Sequence, residues 1–178
     1  MTNYSVYNTE SPPRSQPSAQ AVFFPVSGLK LVVMSTVAFS IYEVYWFYRN
    51  WKFVKEQSGH DIWPFWRAIF SFFFCYSLFK DINHAAGSTS IPTRIPAGPL
   101  ALLLIGVSLC WRLPDPYWLV SCLAVFALLP AQKVINQMNA EIAPNHDPNS
   151  RFSAWNIVGV VLGGLWLLLA VIGTFLPE

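Results

Sequence analysis

From Phe152 to Pro177 the chain runs for 26 residues without a formal charge. A helix rises about 1.5 Å per residue, so about 20 apolar residues cross the roughly 30 Å hydrocarbon core of a bilayer. This one run is long enough to do so, and its apolar character recurs along the chain. Charged residues make up only 11% of the 178 residues, against 54% hydrophobic ones. A soluble domain carries about 25% charged residues, so this composition falls well short of what a water-facing surface uses. The expectation is an all-α fold: an integral membrane helical bundle. A membrane barrel would need alternating strands of about ten residues, and the sequence shows no such alternation. The net charge of +2 is too small and too scattered for a nucleic-acid surface. Three cysteines, Cys75, Cys110 and Cys122, lie inside apolar runs and read as small buried hydrophobes, not as a disulfide framework or zinc site.

Residues 1–22 form a polar tail rich in Pro, Ser and Gln, and are expected to be disordered. A single membrane domain follows over 23–178, with spans expected at about 27–48, 62–82, 95–111, 116–132 and 153–175. Ser27 is a candidate N-cap for the first, and Lys30 is placed to snorkel to the headgroups. That helix is expected to continue past Tyr48 as a short interfacial segment ended by Gly59. Pro64 suits the first turn of the second span. Nine of the 18 residues from Ile62 to Phe79 are aromatic, so rings must pack inside the bundle or against lipid as well as at the interface. Spans three and four are each uncharged for only 17 residues, about 25 Å at helical rise. They form a hairpin, spanning or re-entrant. Gln132, Asn136 and Asn139 share one helical face and read as a solvated face or the lining of a polar vestibule.

Five spans divide Lys and Arg six against five between the two sides, which decides nothing. The basic flank of the first span favours loop 49–61 as cytoplasmic.

Several side chains stand out. Glu43 lies six residues inside the end of the first span, about 9 Å deep, and Arg67 lies about 7.5 Å deep in the second. A lone charge in hydrocarbon costs several kcal/mol, so Glu43 and Arg67 are a candidate intramembrane ion pair, with independent snorkelling or part of a proton or ion path as the alternatives. Tyr42, Tyr45, Trp46, Tyr48, Arg49, Lys52 and Lys55 are read as interfacial anchors. Gly159 and Gly163 form a small-xxx-small pair for helix packing, within the chain or in a homo-oligomer. His84, His146 and Asp147 fall on one side, but their spacing does not require a metal, and no metal site is assigned. No nucleophile elbow, zinc helix, phosphate-binding glycine loop or paired intramembrane carboxylates are present in the sequence, so no catalytic residue and no cofactor are assigned.

The segments "KLVVMSTVAFSIYEVYWFYRNWK" and "PFWRAIFSFFFCYSLFKDI" resemble an uncharacterised family of small multi-pass bacterial membrane proteins. Its pattern is Tyr-x-x-Tyr-Trp-x-Tyr ending the first span, carried here by Tyr42, Tyr45, Trp46 and Tyr48, then a basic stretch matched by Asn50, Trp51 and Lys52. Related chains carry Gly where this one has Ser40, a departure at a position where the resemblance implies a bend. The resemblance covers about a third of the chain. It implies a bacterial inner (cytoplasmic) membrane location and no particular activity. Three function classes stay open: a non-enzymatic component binding a protein partner or lipid, a small transporter or channel, and a membrane-embedded lipid-acting enzyme. Membrane lipids are the expected surroundings in each, and nucleic acid is not an expected partner.

Overall fold

The computed structural model describes residues 20–59, 61–92 and 94–175. The expected disordered tail lies outside the described residues over positions 1–19. Among the described residues the fold is all-helical, with seven α-helices, two 3-10 segments and no strand. Helices α1 (Gly28–Val37) and α2 (Ile41–Ser58) are followed by α3 (Pro64–Ile69) and α4 (Ser71–Ala86). Then come α5 (Ala97–Leu109), 3-10 segments at Cys110–Arg112 and Tyr117–Ala127, α6 (Leu129–Ile142) and α7 (Ala154–Phe175).

Local signals place several boundaries. The Ser27 side chain accepts from the Lys30 N–H and caps α1. Gly59 ends α2 at φ 65°, a left-handed conformation that glycine adopts without a Cβ clash. Pro64 opens α3, where its missing N–H is not needed.

The first two expected spans are each divided. Phe39 (φ 47°) and Ser40 (φ 64°) break the first between α1 and α2. Phe70 separates α3 from α4. Two stretches remain long and apolar enough to cross a membrane, the continuous helical run Tyr117–Ile142 and α7, while Gly28–Val37 and Ala97–Arg112 are apolar but shorter. The fourth expected span thus runs on through the polar residues after Gln132. The second runs past Lys80 to Ala86.

The core lies among α2, α4, α6 and the irregular segment before α1. Trp46, Phe47, Trp51, Leu78, Phe79, Ile82, Leu128 and Ile135 are all essentially inaccessible. The aromatic second region mostly turns outward: Trp63, Phe65, Trp66, Phe72 and Phe73 are exposed, while Phe79 enters the core. Helix α7 packs on α1 and has no buried residue.

Candidate functional site

The segment Val22–Val26 is irregular, with a bend at Val22–Phe23, and forms no helix or strand of its own to satisfy its backbone polar groups. Side-chain amides do so instead. Asn139 Oδ1 accepts from the N–H groups of Val22 (2.8 Å) and Phe23 (3.3 Å), and its Nδ2 donates to Phe23 O (2.9 Å). Gln132 Nε2 donates to Phe24 O (3.2 Å) and to Asn136 Oδ1 (2.8 Å), and Asn136 donates to Val26 O (2.9 Å). Asn50 accepts from Phe24 N at 3.1 Å. The Trp46 indole donates to Gln132 Oε1 at 2.5 Å. The three amides read as a solvated face or a vestibule are therefore a clamp. Gln132 and Asn139 are buried and hold a segment more than a hundred residues away in sequence. Trp46 sits in this core instead of at an interface.

The other expected anchors differ among themselves. Tyr45 and Tyr48 are exposed. The Arg49 guanidinium donates to the Tyr45 hydroxyl (2.9 Å) and lies 4.8 Å from the Phe24 ring centre. Lys52 and Lys55 are exposed and reach Glu56 (3.9 Å) and Asp61 (3.5 Å). Tyr42 packs partly buried beside Tyr45. Lys30 does not snorkel: it is buried, and its Nζ donates to Asn149 Oδ1 and Arg151 O, both at 2.8 Å.

The expected Glu43–Arg67 pair is not formed. The Arg67 guanidinium lies 4.4 Å from the Trp51 ring centre and 5.2 Å from that of Phe74, so aromatic faces receive its charge. Glu43 is buried on the wall of a separate cavity of about 450 Å³. Ser40, Glu43 and Val44, at the start of α2, all line that cavity.

Four irregular stretches surround the cavity. The α1–α2 break supplies Phe39 and Ser40, and the α3–α4 break leads into Ser71 and Phe72. Trp111 comes from the short 3-10 turn, and Trp118, Ser121 and Cys122 come from the long one. A 3-10 run of eleven residues is unusual, since side chains eclipse and its hydrogen bonds are poorer than those of an α-helix. Left-handed φ at a non-glycine residue costs about 1–2 kcal/mol. Such strain persists only where surrounding structure holds it, and it clusters at binding sites. Phe39, Val44, Phe72 and Trp111 are all exposed in part, so the cavity opens at an apolar rim.

Among the described residues Glu43 has one polar side-chain partner, Ser40 Oγ at 3.4 Å. Ser40-x-x-Glu43 has the spacing of a capping box, a signal in the sequence that went unused. The capping-box geometry does not form. The Ser40 N–H donates to Ser35 O (3.0 Å), so Glu43 has no N-cap N–H to reach back to. Its carboxylate is left facing the cavity, in the first turn of α2, where the helix dipole favours an anion.

Gly163 and Gly159 behave differently. A Cβ on Gly163 would lie 2.3 Å from Val37 O, so this glycine permits the α7–α1 contact within one chain. Gly159 meets nothing within 4 Å. His146 Nδ1 lies 2.6 Å from Ala143 O, and Asp147 accepts from Asn149 N. Among the described residues no group of three or more His, Cys, Asp or Glu converges. Compared with family models, curated proteins and solved structures, the chain matches none.

Proposed function

We propose that the protein is a non-enzymatic, multi-pass helical membrane component that holds a lipid or similar amphiphile in the cavity beside Glu43. The observation that carries this reading is the cavity: about 450 Å³, walled mainly by aromatic and aliphatic side chains, with a single carboxylate and an apolar rim. Small-molecule sites are of this size and pattern, apolar with a few placed polar groups. The membrane setting is supported by α7, which is about 33 Å long at helical rise and exposes Trp155, Leu162, Leu165 and Trp166. The reading keeps five crossings, with α7 and the run Tyr117–Ile142 long enough to span as they stand and the others built from shorter or broken helices. Irregular backbone at membrane depth is tolerated where it lines a cavity, and the Phe39–Ser40 break does so.

Native mass spectrometry after extraction in a mild detergent tests this reading. The expected result is the chain carrying one tightly held lipid, and Ser121→Trp, which fills the cavity, should release it while the helical circular dichroism stays unchanged. A lipid-free chain, or a lipid retained by Ser121→Trp, counts against the proposal.

One observation favours a second reading, a small transporter. Discontinuous helices around a buried polar group also build transport sites. Ion or solute flux through sealed liposomes that disappears in Glu43→Gln would support it.

A further inference from the structure

Glu43 is the single charged side chain on the cavity wall, and only 7% of it is exposed. Among the described residues no Lys, Arg or His lies within ion-pairing distance of it; the ion pairs found are Lys52–Glu56 and Lys55–Asp61. A carboxylate offers about four lone-pair sites, and the Ser40 hydroxyl meets one of them at the long distance of 3.4 Å. Removing a carboxylate from water without a partner costs several kcal/mol. The first turn of α2 favours an anion through its dipole, but the Glu43 and Val44 N–H groups both donate to Ser40 O and give the carboxylate no hydrogen bond.

We infer that the cavity selects an amphiphile whose head is a protonated primary amine, received by the Glu43 carboxylate, with its chain lying along the apolar walls. This rests on the reading of the cavity as an amphiphile site, and it names the class of ligand. An ammonium supplies the missing charge and three N–H donors. One goes to Glu43, and the hydroxyls of Ser71 and Ser108 line the same cavity as further acceptors. A carboxylate or phosphate head would meet like charge. A neutral hydroxyl head donates one hydrogen bond but leaves the charge uncompensated. A bare divalent ion would need several oxygen ligands, and the wall holds one carboxylate. Leu104, Phe47 and the rings of Trp111 and Trp118 give the chain its apolar surface.

The test uses the full chain in nanodiscs of phosphatidylcholine. The probes are dodecylamine, dodecanol and dodecanoic acid, each brominated at the chain end. Bromine quenches nearby tryptophan fluorescence, and Trp111 and Trp118 report cavity occupancy when read against the Trp111→Phe, Trp118→Phe double variant. A hydrogen bond between charged partners is stronger than one to a neutral donor. The amine should therefore bind at least about tenfold more tightly than the alcohol, since tenfold is about 1.4 kcal/mol. The acid should bind most weakly. Glu43→Gln should bring the amine down to the affinity of the alcohol and leave the alcohol unchanged. Glu43→Asp should keep an amine preference. Equal affinity for amine and alcohol in the unmodified chain, or an amine preference that survives Glu43→Gln, overturns the inference while the amphiphile site stands. Quenching by none of the three probes overturns both.

Discussion

The amide clamp and the cavity both take polar side chains out of water, and they treat them in opposite ways. At the amide clamp, Gln132, Asn136, Asn139 and Asn50 all bond the backbone of residues 22–26, and Gln132 also meets Asn136 and the Trp46 indole. At the cavity, Glu43 has one long contact to a hydroxyl and a void beside it. Burial alone therefore does not separate a structural polar group from a ligand-binding one. Satisfaction does. A polar group fully met by the chain is held in place, whereas one that the chain leaves unmet has capacity for something else.

The largest expected effect tests the clamp. Asn139→Ala orphans the Val22 and Phe23 N–H groups and the Phe23 carbonyl together. A buried group left unsatisfied costs about 1–3 kcal/mol, so a loss of about 3 kcal/mol or more is expected. Denaturant titration of the purified chain would show it, and hydrogen exchange at residues 22–24 should rise. Unchanged exchange there would break the comparison on the clamp side.

A smaller loss, about 1–3 kcal/mol for forcing extra atoms into a packed contact, is expected for Gly163→Ile. The added Cβ meets the Val37 carbonyl at the end of α1, beside the Phe39–Ser40 break. Cavity binding should weaken while exchange protection at residues 22–24 persists, because the clamp does not involve α7. A fall in both would show that the two regions are coupled. Gly159→Ala, with open space around it, should change neither stability nor binding.

The smallest effect has the opposite sign and sharpens the contrast most. Glu43→Gln keeps the shape and removes a desolvated charge that lacks a counter-charge. It should stabilise the ligand-free chain by about 1 kcal/mol, since unpaired buried charge is destabilising. Thermal melting of the variant and the unmodified chain, both freed of bound lipid, measures it. A clear destabilisation would mean that Glu43 is met within the chain after all.

Much of the helical framework was legible from residue types because it depends on near neighbours. Uncharged runs predicted helices, Ser27 and Gly59 placed an N-cap and an end, and Pro64 placed a start. The break at Phe39–Ser40 was not legible from residue types, since neither residue is Gly or Pro although both adopt left-handed φ; only the family resemblance implied a bend at Ser40. The position of Glu43 marks it in the sequence as a costly buried charge, but its surroundings are not legible there: matching depth predicts Arg67 as its partner, whereas Trp51 and Phe74 receive that guanidinium.

The sequence by itself determined that the chain is helical and apolar, where several helices start and stop, and that Glu43 must be costly to bury. These follow from hydropathy, capping and charge, which act over a few residues. Only the tertiary structure decided that Asn139 binds the backbone of residue 23, that Gly163 presses on Val37, and that the broken helices leave a cavity beside Glu43. Those outcomes depend on groups far apart in the chain. Which of them meet is settled by how whole helices pack, and that is not written in any local pattern.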